Sequence, residues 1–317
     1  MNIIYTVCNR TNLAHALALS ESVLRHQPDS AFYLCWVDNI ALDTLPDHVH
    51  RLSVGEVDIP GWDKMQAEYY DFELLAACRP WFAIRLLELH TDCKNITFLA
   101  PTTLLLNSFD ELLTSGGPVS LTPNIQKPLS KSSVLDDKRI LNVGMFHSGS
   151  WILKPGADTR KMLGWWAERT VDRAKFDLCN GMNMDQLWLN FVPVWVPGTV
   201  QIGHTGWHYG LHAVLNKELS LKNGEYLVDN RSLISVDFAG LDYFDPIWSD
   251  HTSLLSQNGI FKSLFKNYKS TLKTPHQISV AEKTPAYGKL PDIRKNRNLR
   301  NGIAGKLKAI TRYIEEF

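Results

Sequence analysis

Asn95-Ile96-Thr97-Phe98-Leu99-Ala100-Pro101-Thr102-Thr103 reads as a buried strand that runs straight into a tight turn at Pro101. A short apolar run closed by a turn residue fits a strand covered on both faces. The run Leu104-Leu105-Leu106 follows the turn. Working outward, Asn2 to Cys8 repeats the strand pattern. Asn9-Arg10-Thr11-Asn12 then supplies turn and N-cap chemistry before a helical spacing from Leu13 to Arg25. Ala31 to Val37 is a second continuous apolar strand, ending at Asp38-Asn39.

Downstream, Phe72 to Leu89 carries a helical pattern that Pro80 is expected to kink or split. Val119 to Thr122 reads as a strand. Glycines inside the apolar run Asn142 to Leu153 predict strand–turn–strand. A helix is expected over Thr159 to Arg173, a short helix over Met184 to Asn190, and a late strand over Ser232 to Phe238. Strands alternating with helices predict an α/β fold, with a mostly parallel, twisted sheet flanked by helices.

After Trp248 the pattern changes, so residues 1–250 are expected to form the main domain and residues 251–317 a basic helical C-terminal extension. Leu272 to Lys295 is rich in Pro, Lys and Thr and reads as a linker. Ile303, Leu307, Ile310, Ile314 and Phe317 then recur at helical spacing, with Lys306, Lys308 and Arg312 off that stripe. Such an amphipathic basic helix either docks on its own domain or meets a membrane surface or a protein partner.

The 317 residues are 44% hydrophobic, enough for one large domain with an appendage. No run of 18 apolar residues predicts a transmembrane helix. The first residues lack the basic segment of a signal peptide. Cys8, Cys35, Cys78, Cys93 and Cys179 are widely spaced and form no Cys-x-x-Cys pair. Reduced thiols and a cytoplasmic location, peripheral on the inner face of a membrane, are the expectation. The net charge of zero hides an asymmetry. Leu255 to Phe317 holds 13 Lys and Arg against 4 Asp and Glu, a net of +9, so the remainder carries −9. A mildly acidic body with a basic tail fits attachment to an anionic surface. No nucleic-acid partner is expected.

Six blocks, in order, carry a family resemblance. They are Tyr5-Thr6-Val7-Cys8-Asn9 with Leu13 to Ser22; Phe72-Glu73-Leu74 with Arg79-Pro80-Trp81-Phe82 and Arg85; and Ile96 to Leu112. The others are Ile140 to Gly149; Trp165 to Arg169 with Met184-Asp185-Gln186-Leu187-Trp188; and Gly224 to Leu227 with Val236 to Gly240. Over about residues 1 to 245 this set resembles bacterial GT-A-fold glycosyltransferases related to glycosyltransferase family 8. The resemblance implies a GT-A-like (Rossmann-like) sheet. It also implies sugar transfer from an activated donor to a cell-surface glycan or lipid-linked acceptor, with retention of anomeric configuration.

Relatives hold a divalent metal with an Asp-x-Asp at the end of such a strand. Here Ala100 and Thr102 stand at those positions, and Asp237 stands where relatives carry His. His147 stands where they carry Asn. Ala100 cannot ligate a cation, and a divalent ion normally neutralises the leaving diphosphate. The expectation is therefore no metal and no other cofactor. The alternative is a non-catalytic glycan- or nucleotide-binding homologue.

The candidate site follows residue by residue. Thr6, Val7, Cys8 and Asn9 end a strand, where nucleotide donors bind in open α/β sheets, although an ordinary strand–helix turn has the same pattern. Arg79 and Arg85 can clamp phosphates, or form surface ion pairs. By resemblance Asp185 and Gln186 lie at the transferred sugar and are the catalytic candidates. The bland alternative for Asp185 is a favourable acid at a helix N-terminus. His147 and Ser148, with Asp237, complete the donor side.

His204-Thr205-Gly206-Trp207-His208-Tyr209-Gly210-Leu211-His212 spaces three histidines at i, i+4 and i+8. That spacing suits a helical metal site. The two glycines and Thr205 argue for a loop, which makes Trp207, His208 and His212 donor-binding candidates instead.

Overall fold

A computed structural model describes every residue except 43, 130–134, 273–283, 292–302, 304, 305, 308, 312, 316 and 317. In chain order the first elements are β1 (Asn2–Cys8), α1 (Leu13–His26), β2 (Ser30–Trp36), β3 (Val49–Ser53), α2 (Trp62–Glu68) and α3 (Asp71–Leu89). Next come β4 (Asn95–Leu99), β5 (Thr103–Leu105), α4 (Asp110–Ser115), β6 (Val119–Pro123), α5 (Asp137–Val143), β7 (Phe146–Leu153) and α6 (Ala157–Arg173). The remainder are β8 (Phe176–Asp177), β9 (Met182–Asn183), α7 (Val192–Trp195), β10 (Val200–Gln201), β11 (Leu219–Lys222), β12 (Glu225–Val228), β13 (Arg231–Ser232), β14 (Ser235–Asp237) and α8 (Gly259–Thr271).

The expected α/β architecture is present. Seven strands form one sheet in the order β10-β6-β7-β4-β1-β2-β3. All neighbours pair in parallel except β7, which is antiparallel to both β4 and β6. Strands β4 and β7 are buried along their whole length, as continuous apolar runs require. Alternation along β1 sends Ile3, Tyr5 and Val7 into a core shared with α3 and α6, and Ile4 and Cys8 into one shared with α1. Tyr5, Phe98, Trp151 and Trp166 form an aromatic chain across the first core, with ring centroids 5.1 to 5.7 Å apart along it.

Local expectations fail in instructive places. Helix α3 continues through Pro80. A proline here lacks the N–H that would bond back one turn. The Thr170 hydroxyl donates to Ala77 O at 2.9 Å, and the Tyr5 hydroxyl to Arg79 O at 2.8 Å, so neighbouring helices and strands hold the segment together. Asn142 to Leu153 is not strand–turn–strand. Its first residues end α5, Gly144 turns at φ 114°, and β7 follows. The helix expected over Met184 to Asn190 begins only at Leu187, because Met184 adopts φ 48°.

The expected boundary at residue 250 falls inside a packed region. Leu254, Phe261, Leu264 and Tyr268 share a core cluster with Tyr209, Val236 and Phe238. The Tyr268 hydroxyl also lies 2.8 Å from His15 Nδ1 on α1. Most of the linker read over Leu272 to Lys295 lies outside the described residues. Lys289 returns to the body, accepting from Asp71 N and donating to Tyr69 O. Ile303, Leu307, Ile310 and Ile314 sit on helical backbone and are each more than half exposed. Phe317 of that stripe, and Lys308 and Arg312 off it, lie outside the described residues.

Two antiparallel pairings position the site. In the β4–β7 pair, Leu99 faces Ser150, so the start of β7 lies beside the end of β4. In the β5–β14 pair, Thr103 faces Asp237.

Asp71, at the start of α3, is buried and its Oδ1 has no hydrogen-bond partner. Burial, seconded by nearby Glu73, pushes its carboxyl up to about 6. Below about pH 4 the group is protonated in both folded and unfolded chains. As pH rises toward 6, the unfolded chain releases the proton and the native state resists, so native stability falls across that window. Asp71→Asn should therefore raise stability at neutral pH by up to ~3 kcal/mol, the equivalent of about two pKa units. It should make no difference near pH 4, and urea denaturation at the two pH values measures both outcomes.

Candidate active site

The turn after β4 is held rigidly. Ala100 N donates to Gly149 O at 2.8 Å, and Thr103 N closes the turn on Ala100 O at 2.9 Å. Ala100 presents only a methyl group. The Thr102 hydroxyl is committed, donating to Asp237 Oδ1 at 2.7 Å. Ala239 N donates to the same oxygen at 3.0 Å. Neither position of the turn offers a carboxylate.

The second carboxylate oxygen of Asp237 faces two imidazoles, with Oδ2 3.4 Å from His208 Nε2 and 3.9 Å from His147 Nε2. His147, His208 and His212 are all buried, and their rings lie 4.8 to 5.8 Å apart. Trp248 stacks on His147 with ring planes 5° apart. His208 reaches this position on a left-handed backbone, φ 50°, with its amide donating to Ser235 Oγ at 2.8 Å. Gly149 is required beneath the rings. A Cβ there would meet the His147 ring at 2.6 Å and His208 Nε2 at 3.0 Å.

Burial drives the His147 imidazole down to about 3, and nearby His208 lowers it further, so the ring is neutral. Burial likewise holds His212 well below its ordinary value. For Asp237, burial alone would raise the carboxyl. The neighbouring His208 and His147 and the Thr102 hydroxyl outweigh it and hold the group below the usual carboxylate range. Gly149 N donates to His147 Nδ1 at 2.9 Å, which places the proton of the neutral ring on Nε2. His147 Nε2, both ring nitrogens of His208, and His212 Nε2 have no hydrogen-bond partner.

On the other wall, Arg79 Nη1 donates to both oxygens of Asp185 at 3.1 Å and to Ser148 Oγ at 2.9 Å. Its guanidinium carbon sits 4.9 Å over the Phe98 ring. Asp185 is fully buried, and burial raises its carboxyl although Arg79 pulls it down. The Gln186 amide is committed, accepting from Ser148 N at 3.0 Å and donating to Val143 O at 2.7 Å.

These walls enclose one cleft beyond the strand ends. Val7, Arg79, Ala100, Thr102, His147, Ser148, Gln186 and Asp237 line it, so much of the expected set meets. Asp185 lies behind Arg79, and His208 and His212 lie behind His147 and Asp237; none of these three lines the cleft. Thr6 and Cys8 are buried in the sheet, and Asn9 spends its side-chain oxygen on Thr11. Arg85 is placed elsewhere. Six residues along α3 turn it away from Arg79, and it pairs with Glu88 at 3.1 Å. Trp207 is core, packed on Phe109 with its indole N–H donating to Thr122 Oγ1 at 2.8 Å.

Sequence reasoning missed the segment Tyr243-Phe244-Asp245-Pro246-Ile247-Trp248, which forms one side of the cleft. Asp245 accepts from the amides of Ile247 and Trp248, and burial pushes its carboxyl up to about 6. Its signal was the Asp-Pro turn among aromatic residues.

No family model and no curated protein matches the sequence. Among solved structures, the chain is similar to the galactosyltransferase LgtC in complex with donor and acceptor sugar analogues. The two share 12% identity at a TM-score of 0.49, over 87% of this chain and 98% of that one. It is also similar to a glycosyltransferase involved in glycosylation of the major capsid of PBCV-1. That pair shares 8% identity at a TM-score of 0.42, over 74% of this chain and 92% of that one.

Removing one partner of a buried ion pair leaves an uncompensated charge. Arg79→Met should therefore destabilise the protein by about 3–5 kcal/mol. Adding Asp185→Asn to that variant should recover much of the loss, as read from urea unfolding midpoints.

Proposed function

We propose that this protein transfers a sugar from an activated donor, a nucleotide sugar, onto a cell-surface glycan or its lipid-linked precursor. The observation that carries the reading is the cleft at the carboxyl ends of β1 and β4. It gathers Arg79, Ser148, His147 and Gln186 around a turn that carries no carboxylate. Donors in open α/β sheets bind at this place. The ordered sequence blocks support the same class, and with it retention of configuration.

In this reading Arg79 meets the negative charge that develops on the leaving phosphate. Asp185 is a positioning residue. Fully buried and bonded through both oxygens to Arg79, it orients the guanidinium rather than touching the sugar. In the metal-free protein the neutral His147 ring carries its Nε2 proton without a partner and can donate to a donor oxygen. We read transfer as independent of Mg²⁺ or Mn²⁺ at the Ala100–Thr102 turn, where neither side chain is a carboxylate.

One observation favours a second reading, a non-catalytic glycan- or nucleotide-binding homologue. The Arg79 charge is already balanced by Asp185, and the Gln186 amide is fully engaged.

Among the described residues no helix is long and apolar enough to cross a membrane. The exposed stripe Ile303, Leu307, Ile310 and Ile314 is the contact we propose for an anionic lipid surface near the acceptor.

Calorimetry with a panel of nucleotides and nucleotide sugars, followed by transfer assays, tests the reading. Turnover should occur and be unchanged by added Mg²⁺ or Mn²⁺. Arg79→Lys keeps the charge but loses the planar fork, and should lower turnover about 10²-fold. Tight binding with no turnover on any acceptor would establish the second reading instead. Leu307→Glu with Ile310→Glu should abolish sedimentation with anionic vesicles and leave turnover on a soluble acceptor intact.

A further inference from the structure

We propose that His147, His208 and Asp237 form a binding site for a transition-metal ion of the zinc class. The three residues come from β7, from the loop between β10 and β11, and from the end of β14. One ligand atom from each lies within 4.8 Å of the others. Zinc takes nitrogen and oxygen ligands at about 2.0–2.2 Å, which in a tetrahedron places ligand atoms roughly 3.3 Å apart. The Oδ2 to Nε2 separations are 3.4 and 3.9 Å and all three ligand atoms lie within 4.8 Å, so binding closes the widest separation by up to about 1.5 Å.

The donors are prepared for a ligand that the protein itself does not supply. Buried polar atoms are nearly always hydrogen-bonded. Here His147 Nε2 and His208 Nδ1 have no partner, His208 Nε2 meets only the Asp237 carboxylate at 3.4 Å, and the two residues are 6% and 0% exposed. Asp237 is oriented from behind, because Thr102 and Ala239 both bond Oδ1 and leave Oδ2 toward the imidazoles. Groups that orient a ligand in this way are typical around metal sites.

The donor set selects the metal. Two imidazoles and one carboxylate suit zinc or ferrous iron, whereas Mg²⁺ and Ca²⁺ prefer all-oxygen shells. One contact opposes binding. Gly149 N donates to His147 Nδ1, so coordination at Nε2 moves the ring proton to Nδ1, ends that bond and sets the Nδ1–H against the Gly149 N–H. The cost is one buried hydrogen bond and two N–H donors left facing each other, against three coordinate bonds.

His147 and Asp237 line the cleft, so a fourth coordination position opens toward it. Three protein ligands with an open position is the arrangement of zinc sites that act on a bound molecule. A phosphate oxygen of the donor would complete the shell; that role rests on the transfer reading, whereas metal binding does not. The site is separate from the Ala100–Thr102 turn and uses none of its atoms.

The test uses the full chain. Metal is stripped, and Zn²⁺ and Co²⁺ are titrated back, with metal content measured by mass spectrometry and Co²⁺ followed by its visible absorption. The expected result is one ion per chain, visible bands of a nitrogen- and oxygen-ligated cobalt, and no competition from excess Mg²⁺. His208→Asn and Asp237→Asn should each weaken binding by about tenfold or more. Circular dichroism melts identify any variant that fails to fold, and His147→Gln provides a third, independent ligand removal. Folded wild-type protein that takes up neither Zn²⁺ nor Co²⁺ overturns the site, as do folded variants that bind as tightly as wild type. Transfer activity without metal uptake sinks the site and leaves the transfer reading standing. Metal uptake without transfer supports the site and counts against its role at the donor.

Discussion

The reversed strand β7 is the constraint on which the rest of the structure depends. It lies between β4 and β6 and is buried from Phe146 to Leu153. Because it runs antiparallel, its first residues meet the last residues of β4 rather than the opposite edge of the sheet. That reversal carries His147, Ser148 and Gly149 to Ala100 and Thr102. A parallel strand in the same slot would have sent them to the far end. The irregular register between β6 and β7, near Thr122 and His147, lies at the same point. The bulge re-aims a side chain at the rim of the sheet, a common use of such irregularities.

Two buried electrostatic arrangements flank the cleft that β7 creates. In the first, Arg79 satisfies both oxygens of Asp185, and each charge answers the desolvation of the other. In the second, one oxygen of the Asp237 carboxylate is held by Thr102 and Ala239, and the other faces the imidazoles of His208 and His147 at 3.4 and 3.9 Å. The first is closed and holds its geometry. The second is open and is the place where an added group gains most. The local backbone agrees with this division. Met184 and His208, one on each side, both hold positive φ, a conformation kept only where the surroundings enforce it.

Much of the frame was legible in the residues. The apolar runs at Asn2 to Cys8, Ala31 to Val37 and Ile96 to Leu99 each mark a strand of the central sheet, because burial on both faces leaves a continuous pattern. Helix α3 was legible too, but its passage through Pro80 was not, since Thr170 and Tyr5 stabilise it from distant parts of the chain. Gly144 misled, because the same glycine that breaks a strand also ends a helix. Phe261 and Tyr268, beyond residue 250, pack against Phe238, because packing across the fold does not follow a change of composition along the chain. Arg85 and Arg79 looked equivalent on paper, and the helix period separates them.

The sequence by itself determined the fold class and the absence of carboxylates at Ala100 and Thr102. Both are properties of residues taken in place: hydrophobic periodicity is local, and a methyl group cannot become a ligand anywhere in a fold. Only the tertiary structure decided that His147, His208 and Asp237 converge and that Asp185 stands behind Arg79. These residues lie far apart in the chain. Their distances depend on strand register, on one reversed strand and on a left-handed residue in a loop, which no local pattern of the chain records.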